Sequence, residues 1–303
     1  MQGDLTAALV ALAPDLGRAE SEPVALDGGI TNRNFRLMLG GRDVVVRLPG
    51  KDTELLGIDR AAERAATEAA AAVGVGPEVV AFLTVPPCLV TAFITGRQLD
   101  AAEVREHVGE VAAALRAFHA GPPLRTRFDA FAIVDAYHAT AVAHGTQVPP
   151  AFPRLIARVH DIRAALTHPE HAPVPCHNDL LTANLLHDGD RVRIVDWEYA
   201  GVGDRFFDLG NLSVNNGFTE DDDERLIAAY FGEPCTSRRF AALRLMRIMS
   251  DFREGMWGVV QTAISTLDFD FAAYADEHLE RVAGGLADPR FPIWLEDARG
   301  DRP

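Results

Sequence analysis

The sequence predicts an α+β protein in two lobes, a small β-rich amino-terminal one and a larger, mostly α carboxyl-terminal one. Strand-like alternation is confined to the first 95 residues and one short island before residue 196, and helical apolar spacing dominates from Asp100 onward. At 303 residues the chain also exceeds the size at which single cores usually stop growing, about 250–300 residues. The division is placed between residues 95 and 96, giving lobes 1–95 and 96–303.

Taken in order, Asp4 is placed to cap a short helix with Leu5, Leu9 and Leu12 on its apolar face. Pro23 to Asp27, Asn34 to Leu39 and Asp43 to Leu48 read as strands, separated by the turns Gly28-Gly29-Ile30-Thr31-Asn32 and Gly40-Gly41. An alanine-rich helical run extends from about Glu54 to Gly74, and Glu78 to Leu83 and Cys88 to Ile94 are two further strands. Asp100 and Glu103 have the spacing of a capping box opening a helix that ends near Gly121. Two helical stretches reach about Leu166, a β island with a Gly189-Asp190 turn runs from Asn184 to Asp196, and everything beyond Asp204 is helical. The sequence has no internal repeat and no low-complexity segment beyond its alanine bias.

Composition narrows the function classes. With 48% hydrophobic and 24% charged residues the chain is an ordinary globular enzyme rather than a disordered or fibrous protein. A formal charge of −15 disfavours attraction to a phosphate backbone or an anionic membrane, so neither nucleic acid nor membrane is expected as a partner. It would draw a cationic small molecule. Cys88, Cys176 and Cys235 are odd in number and far apart, without CxxC spacing, which indicates neither a disulfide framework nor a zinc site. No basic-then-apolar leader and no run near about 18 apolar residues occurs, so a cytoplasmic location is expected.

The chemistry is concentrated in His177-Asn178-Asp179-Leu180-Leu181-Thr182-Ala183-Asn184, followed by Ile194-Val195-Asp196-Trp197-Glu198-Tyr199. In phosphoryl transfer by the protein-kinase scheme, an Asp accepts the hydroxyl proton, an Asn five residues later holds magnesium, and a further Asp after a strand turn holds magnesium as well. Asp179, Asn184 and Asp196 match those positions in order, and a β-turn-β between the last two would return them to one point. Oxygen donors suit Mg²⁺, which binds through one or two carboxylate or amide oxygens together with phosphates and waters. Asp196 and Asp208 are only twelve residues apart, too few for a regulated activation segment and a peptide platform, so a small-molecule acceptor is expected. Trp257, Phe269, Phe271 and Tyr274 lie close enough in sequence to wall a compact pocket.

The run from Cys176 to Asn211, with HNDLLTAN, IVDWEYAG and FDLGN, resembles the choline/ethanolamine kinase family within the aminoglycoside-phosphotransferase-like, protein-kinase-like superfamily. GGITNRNF is similar to that family's nucleotide-loop turn, VVVRLPG to its phosphate-binding strand, and WGVVQTAISTLDFDFAAYA to its substrate-side helices. The resemblance covers most of the chain and implies a kinase using ATP and Mg²⁺ on the hydroxyl of a small cationic alcohol.

Carried over by residue, it places Gly28, Gly29, Thr31 and Asn32 at the nucleotide loop and Arg47 on the ATP phosphates. Glu63 pairs with Arg47, Glu68 being the alternative. Thr91, Ala92, Phe93 and Ile94 form a hinge whose backbone meets adenine. Asp179 is the catalytic residue and also touches substrate, with Glu198, Tyr199, Asn215, Glu254, Trp257, Phe271 and Tyr274 around it. His177 and Asp208 brace the catalytic loop. Two departures bear on the substrate: Glu254 stands at the first position of the family's W-x-x-W, and Asn215 where an acidic residue follows FDLGN. Both put choline in doubt, leaving ethanolamine, another amino alcohol, an aminoglycoside or thiamine. An inactive kinase-like binding module is the alternative from another class, and retention of Asp179, Asn184 and Asp196 argues against it.

Overall fold

The computed structural model describes residues 2–26 and 31–300. The first lobe comprises α1 (Gln2–Leu16), β1 (Val24–Leu26), β2 (Asn32–Leu39), β3 (Arg42–Pro49), α2 (Arg60–Ala72), β4 (Val79–Thr84) and β5 (Pro87–Ala92). The five strands form one antiparallel sheet in the order β1-β2-β3-β5-β4. Alternation along β3 buries Val44, Val46 and Leu48, which join Leu37, Leu39, Cys88 and Val90 beneath Leu5, Ala8 and Leu12 of α1. Asp4 lies inside the first turn of α1 rather than capping it, and its carboxylate accepts from Arg33 in an ion pair instead.

The alanine-rich run is not one helix. Thr53–Leu56 forms a single 3-10 turn, Gly57 takes the left-handed φ of 79° that ends it, and the Asp59 side chain accepts from the N–H groups of Ala61 and Ala62 to start α2 afresh. The break rotates α2 so that Ala66, Ala69 and Ala70 pack with the second lobe's core, along with Leu56, Ile58 and Val75. The two cores therefore do not divide at one point of the chain.

The second lobe begins with the short β6 (Arg97–Gln98), α3 (Ala101–Glu106) and α4 (Val108–His119). Both halves of the Asp100/Glu103 capping box form, but the helix breaks at His107 where the sequence reads as continuous to Gly121. Helices α5 (Ala130–Ala143) and α6 (Phe152–Ala165) follow, then β7 (Val174–Cys176), β8 (Leu185–His187), β9 (Val192–Ile194) and β10 (Gly201–Gly203). β8 and β9 are the expected hairpin, extended by β6, while β7 and β10 make a separate antiparallel pair on either side of the motif segment. The chain ends in α7 (Arg205–Asn215), α8 (Glu220–Phe231), α9 (Ser237–Ile264), α10 (Phe271–Ala287) and α11 (Phe291–Arg299). Helix α9 is buried nearly all round between Ala241 and Gln261, as expected of a central helix. No described helix is long and apolar enough to cross a membrane.

Helix α7 crosses α9 at Gly210, where an added Cβ would come within 2.8 Å of the Met246 and Arg247 backbone. Backbone cannot yield as a flexible side chain does. Gly210→Ala is therefore expected to destabilise the protein by about 1–3 kcal/mol, the usual cost of overpacking, read as a lower urea midpoint at unchanged slope. An unchanged midpoint would show that the two helices part freely.

Candidate active site

A cavity of about 280 Å³ opens between the lobes. Its roof is Val45, Leu89 and Thr91 of the sheet, its back the hinge segment Ala92, Phe93 and Ile94, and its floor Ala183, Asn184, Leu186, Val195 and Asp196. Within the hinge the N–H of Ala92 goes to the Glu78 carbonyl and that of Phe93 to the Asp43 carbonyl. Phe93 is stacked under Arg36, 3.7 Å from ring centroid to guanidinium carbon. Apolar walls with a few polar groups at one end are the usual make-up of a small-molecule site.

The polar end is organised by Arg47. Its Nη1 donates to Glu63 Oε1 at 2.7 Å and to Asp196 Oδ1 at 2.5 Å, and its Nε to Asn34 Oδ1 at 3.2 Å. Burial, the largest influence, would lower the Arg47 pKa, but Asp196, Glu63 and Glu198 outweigh it and hold the guanidinium protonated. Of the two glutamates weighed from the sequence, Glu63 meets Arg47, whereas Glu68 forms a surface pair with Arg64. Arg60 extends the network, donating from Nη1 to Glu63 Oε2 at 2.7 Å and to Glu198 Oε2 at 3.0 Å. Glu198 also accepts from Asn32 Nδ2 at 2.8 Å. Burial pushes Glu198 up to about 7, with Asp196 adding to the rise and Arg47 and Arg60 opposing it.

The segment between β7 and β8 is held from behind. Asp208 Oδ2 accepts the His177 N–H at 2.8 Å and Oδ1 the Asn178 N–H at 2.6 Å, while Asn211 Oδ1 accepts the Leu180 N–H. Asp208 and Asn211 lie three apart on α7 and so share one face. His177 donates from Nε2 to the Val195 carbonyl at 3.0 Å and accepts the Asp179 N–H at Nδ1, 3.2 Å away, which fixes one neutral tautomer. Burial, the main cause, also holds its pKa low. Asn178 and Asp196 adopt left-handed φ values of 70° and 69°, and the Asn178 amide bonds the carbonyls of Cys176 and Tyr199. Such residues persist only where surrounding bonds over-determine them.

Asn184 and Asp196 close the two ends of the β8–β9 hairpin, and the Val195 N–H bonds the Asn184 carbonyl at 3.0 Å. Asn184 Nδ2 donates to the Asp179 carbonyl at 2.9 Å, so its amide oxygen is the atom left to face the cavity it lines. An amide oxygen and a carboxylate on one cavity wall are hard oxygen donors, and they fit Mg²⁺. Asp179 is pushed up to about 8, first by burial and then by Glu254, Asp196 and Glu198, with Arg253 opposing.

Beyond Asp179, Tyr199, Trp257, Phe271 and Tyr274 come together. Trp257 Nε1 donates to the Tyr199 hydroxyl at 3.1 Å, and its ring meets Phe271 at 5.8 Å and Tyr274 at 5.7 Å. Glu254 is already engaged: Arg253 Nη1 donates to Oε1 and the Tyr274 hydroxyl to Oε2 at 2.9 Å. Arg253 also reaches Asp179 Oδ1 at 3.4 Å and lies over the Tyr199 ring at 4.2 Å.

Several sequence expectations are redistributed by this geometry. Glu198, expected beside the substrate, turns to Arg60 and Asn32 at the lobe junction. Asn32 opens β2 rather than belonging to the preceding turn, and the cavity is lined from this region by Leu26 and Asn34 instead of Thr31 and Asn32. Gly28 and Gly29 lie outside the described residues. Asn215 ends α7 with its amide nitrogen buried and unpartnered, while its neighbour Asn216 bonds the Leu180 carbonyl. Arg60 and Asn34 went unread, whereas the sequence offers Arg253 as an alternative partner for Glu254, and the two do pair. Arg60 carries a retrievable signal, lying three residues before Glu63 on the same helix.

A sheet lobe over a helical lobe, with an Arg–Glu pair above and an Asp–Asn–Asp set below one cavity, is the architecture of a kinase-like phosphotransferase. The sequence matches the family described as "Phosphotransferase enzyme family" over residues 23–246. A choline/ethanolamine kinase family protein from Mesorhizobium loti superposes with a TM-score of 0.85 at 32% identity, covering 99% of this chain and 100% of that one. Ethanolamine kinase 2 of Rattus norvegicus is 33% identical over 120 residues, 33% of this chain and 31% of that protein. Ethanolamine kinase 1 of Mus musculus is 27% identical over 292 residues, 82% of this chain and 79% of that protein. The chain thus spans about a third of the rat protein it matches and most of the mouse one. It belongs to the phosphotransferase enzyme family, on its choline/ethanolamine kinase branch.

Removing the Asp208 carboxylate strands two buried N–H groups, each costing about 1–3 kcal/mol. Asp208→Ala is expected to lower the urea midpoint more than Asp208→Asn, which keeps one acceptor oxygen. Equal midpoints for both variants and wild type would mean the loop is held by something else.

Proposed function

We propose that this protein transfers the γ-phosphoryl group of ATP to a hydroxyl of a small amino alcohol. The observation that carries the reading is the convergence of Asp179, Asn184 and Asp196 at the end of the interlobe cavity where Arg47 stands. Adenine occupies the apolar part of the cavity against the hinge, and the phosphates reach towards Arg47, whose planar fork suits two phosphate oxygens. Asn184 and Asp196 hold Mg²⁺, which when bound neutralises charge on the transferring group. Phosphate and metal would each compete for the contact between Arg47 and Asp196.

Asp179 orients the acceptor hydroxyl and takes its proton as the hydroxyl oxygen forms its bond to the γ-phosphorus. The bridging oxygen bond to the β-phosphate breaks, and ADP leaves. A charged Asp179 is required for this, and cations arriving nearby lower a pKa that burial has raised. The alcohol's other end meets Tyr199, Trp257, Phe271 and Tyr274.

The reading is tested by following ATP consumption with a panel of amino alcohols, aminoglycosides and thiamine in the presence of Mg²⁺, and again after chelation. Turnover of one class, abolished by chelator, is expected. Nucleotide binding without consumption of any acceptor would favour an inactive binding module instead. In the active case Asp179→Asn should lower kcat by about 10²–10⁴-fold while sparing ATP binding, and a loss below threefold excludes the base role.

Arg47→Ala is expected to weaken ATP binding by about 10–100-fold, the size of a hydrogen bond to a charged group. Arg42→Ala, at an exposed position 3.9 Å from Glu78, serves as control. Equal effects of the two changes would remove Arg47 from the phosphates.

A further inference from the structure

Arg253 is among the most deeply buried residues of the protein, 1% exposed, and only one of its three nitrogens is used. Nη1 serves both Glu254 and Asp179, while Nε and Nη2 are shielded from solvent without any hydrogen-bond partner. These two are not an arbitrary pair. Their N–H bonds run parallel along one edge of the guanidinium, the edge that receives both oxygens of a carboxylate at once. A charged donor edge left buried and unpaired is costly, more so than a neutral one. Neutralising Glu254 would need one nitrogen and leaves this edge unexplained.

The same side chain bears on what else can bind. Its guanidinium covers the Tyr199 ring at 4.2 Å, the face on which a substrate ammonium would gain its cation–π attraction. Glu254 is already engaged, since Arg253 donates to one of its oxygens and Tyr274 to the other, and the Arg253 charge balances its own. A second unpartnered donor points the same way: the buried Asn215 amide nitrogen. Asn215 lies one turn after Asn211, which bonds Ser250, and Glu254 lies one turn after Ser250. Of the unused groups at this end of the site, the Arg253 edge and the Asn215 amide nitrogen are donors, while the Asn178 and Asn216 amide oxygens are buried acceptors without a partner.

We propose that the alcohol phosphorylated here carries a carboxylate, and that Arg253 reads that carboxylate through its Nε–Nη2 edge. The inference rests on the phosphotransferase reading and replaces its plain amino alcohol with an acceptor that carries a carboxylate, a hydroxyl-bearing amino acid or a hydroxy acid. Quaternary ammonium alcohols are disfavoured because an internal cation already sits on Tyr199. The group transfer is unchanged: the hydroxyl oxygen takes the phosphoryl group, its proton passes to Asp179, and the carboxylate remains intact on the product.

The test is calorimetric binding to the full chain with Mg²⁺ and a non-hydrolysable ATP analogue, using pairs of alcohols that differ by one carboxylate. Serine is set against ethanolamine, homoserine against 3-aminopropanol and glycerate against ethylene glycol, with choline added. In at least one pair the acid is expected to bind tenfold or more tightly than its partner, and choline to bind weakly. Arg253→Lys keeps the positive charge, and so a partner for Glu254, but loses the two-pronged edge. It should erase the acid's advantage while the melting temperature and ATP-analogue affinity stay near wild type. Arg253→Met combined with Glu254→Gln, which removes both members of the Arg253–Glu254 pair together, should do the same if the lysine variant folds poorly. The inference is overturned if no acid outbinds its partner, if none binds at all, or if the preference survives both changes. Failure to bind the ATP analogue would instead strike the phosphotransferase reading itself.

Discussion

The guanidinium of Arg47 is the point on which both lobes depend. It arrives on β3, meets Glu63 from α2, and closes onto Asp196 from the end of β9, so one side chain ties sheet, helix and the Asp196 turn together. Burying such a group is costly unless its hydrogen-bonding capacity is used, and Glu63, Asp196 and Asn34 use it. Arg60 repeats the arrangement between Glu63 and Glu198, carrying the network across the lobe junction. A buried network of alternating charge fixes relative geometry more than it adds stability, because desolvation offsets much of the attraction. Geometry is what an interlobe cavity needs.

Below the cavity the same task falls to hydrogen bonds from side chains to the backbone. Asp208 and Asn211 hold backbone N–H groups of the loop that carries Asp179, and His177 ties that loop to Val195. Asp208 is itself held by His119 at 2.9 Å, which the Tyr230 hydroxyl orients. The loop needs this support because Asn178 and Asp196 sit at left-handed φ, where residues other than glycine cost about 1–3 kcal/mol. At Asp196 the left-handed backbone turns the chain out of the β8–β9 hairpin at the cavity wall, and at Asn178 it sets the course of the loop that carries Asp179.

The acceptor end differs in kind. Its aromatic groups gather as their spacing suggests, yet its charge is set by Arg253, whose pKa burial would lower but which Glu254, Tyr137, Asp179 and Tyr199 together keep well above the usual value. A site with a permanent internal cation cannot be read from the acidic surplus of the whole chain. Net charge governs long-range attraction, whereas specificity is decided by the few groups within hydrogen-bond reach.

Much of this was legible in the sequence wherever the governing interactions are local. The β8–β9 hairpin brings Asn184 and Asp196 together because a short antiparallel turn leaves no other arrangement, and the Asp100/Glu103 capping box is a four-residue pattern. The Arg47–Glu63 pair spans 16 residues, and the sequence kept Glu68 as an alternative because helix phase depends on where the helix starts. That start is set by Gly57 and Asp59, whose break inside the alanine run was missed, as was the one at His107. Arg60 with Glu198 and Arg253 with Asp179 are separated by 138 and 74 residues, and which partner a charged side chain finds over such distances depends on packing. The sequence by itself determined the two-lobed class and the order of most of its elements, and singled out Asp179, Asn184 and Asp196 as candidates for phosphoryl transfer, since these follow from periodicity, turns and spacing. Only the tertiary structure decided that Glu198 belongs to the lobe junction and that an arginine fills the seat expected for a substrate cation, because burial assigns partners that no local pattern encodes.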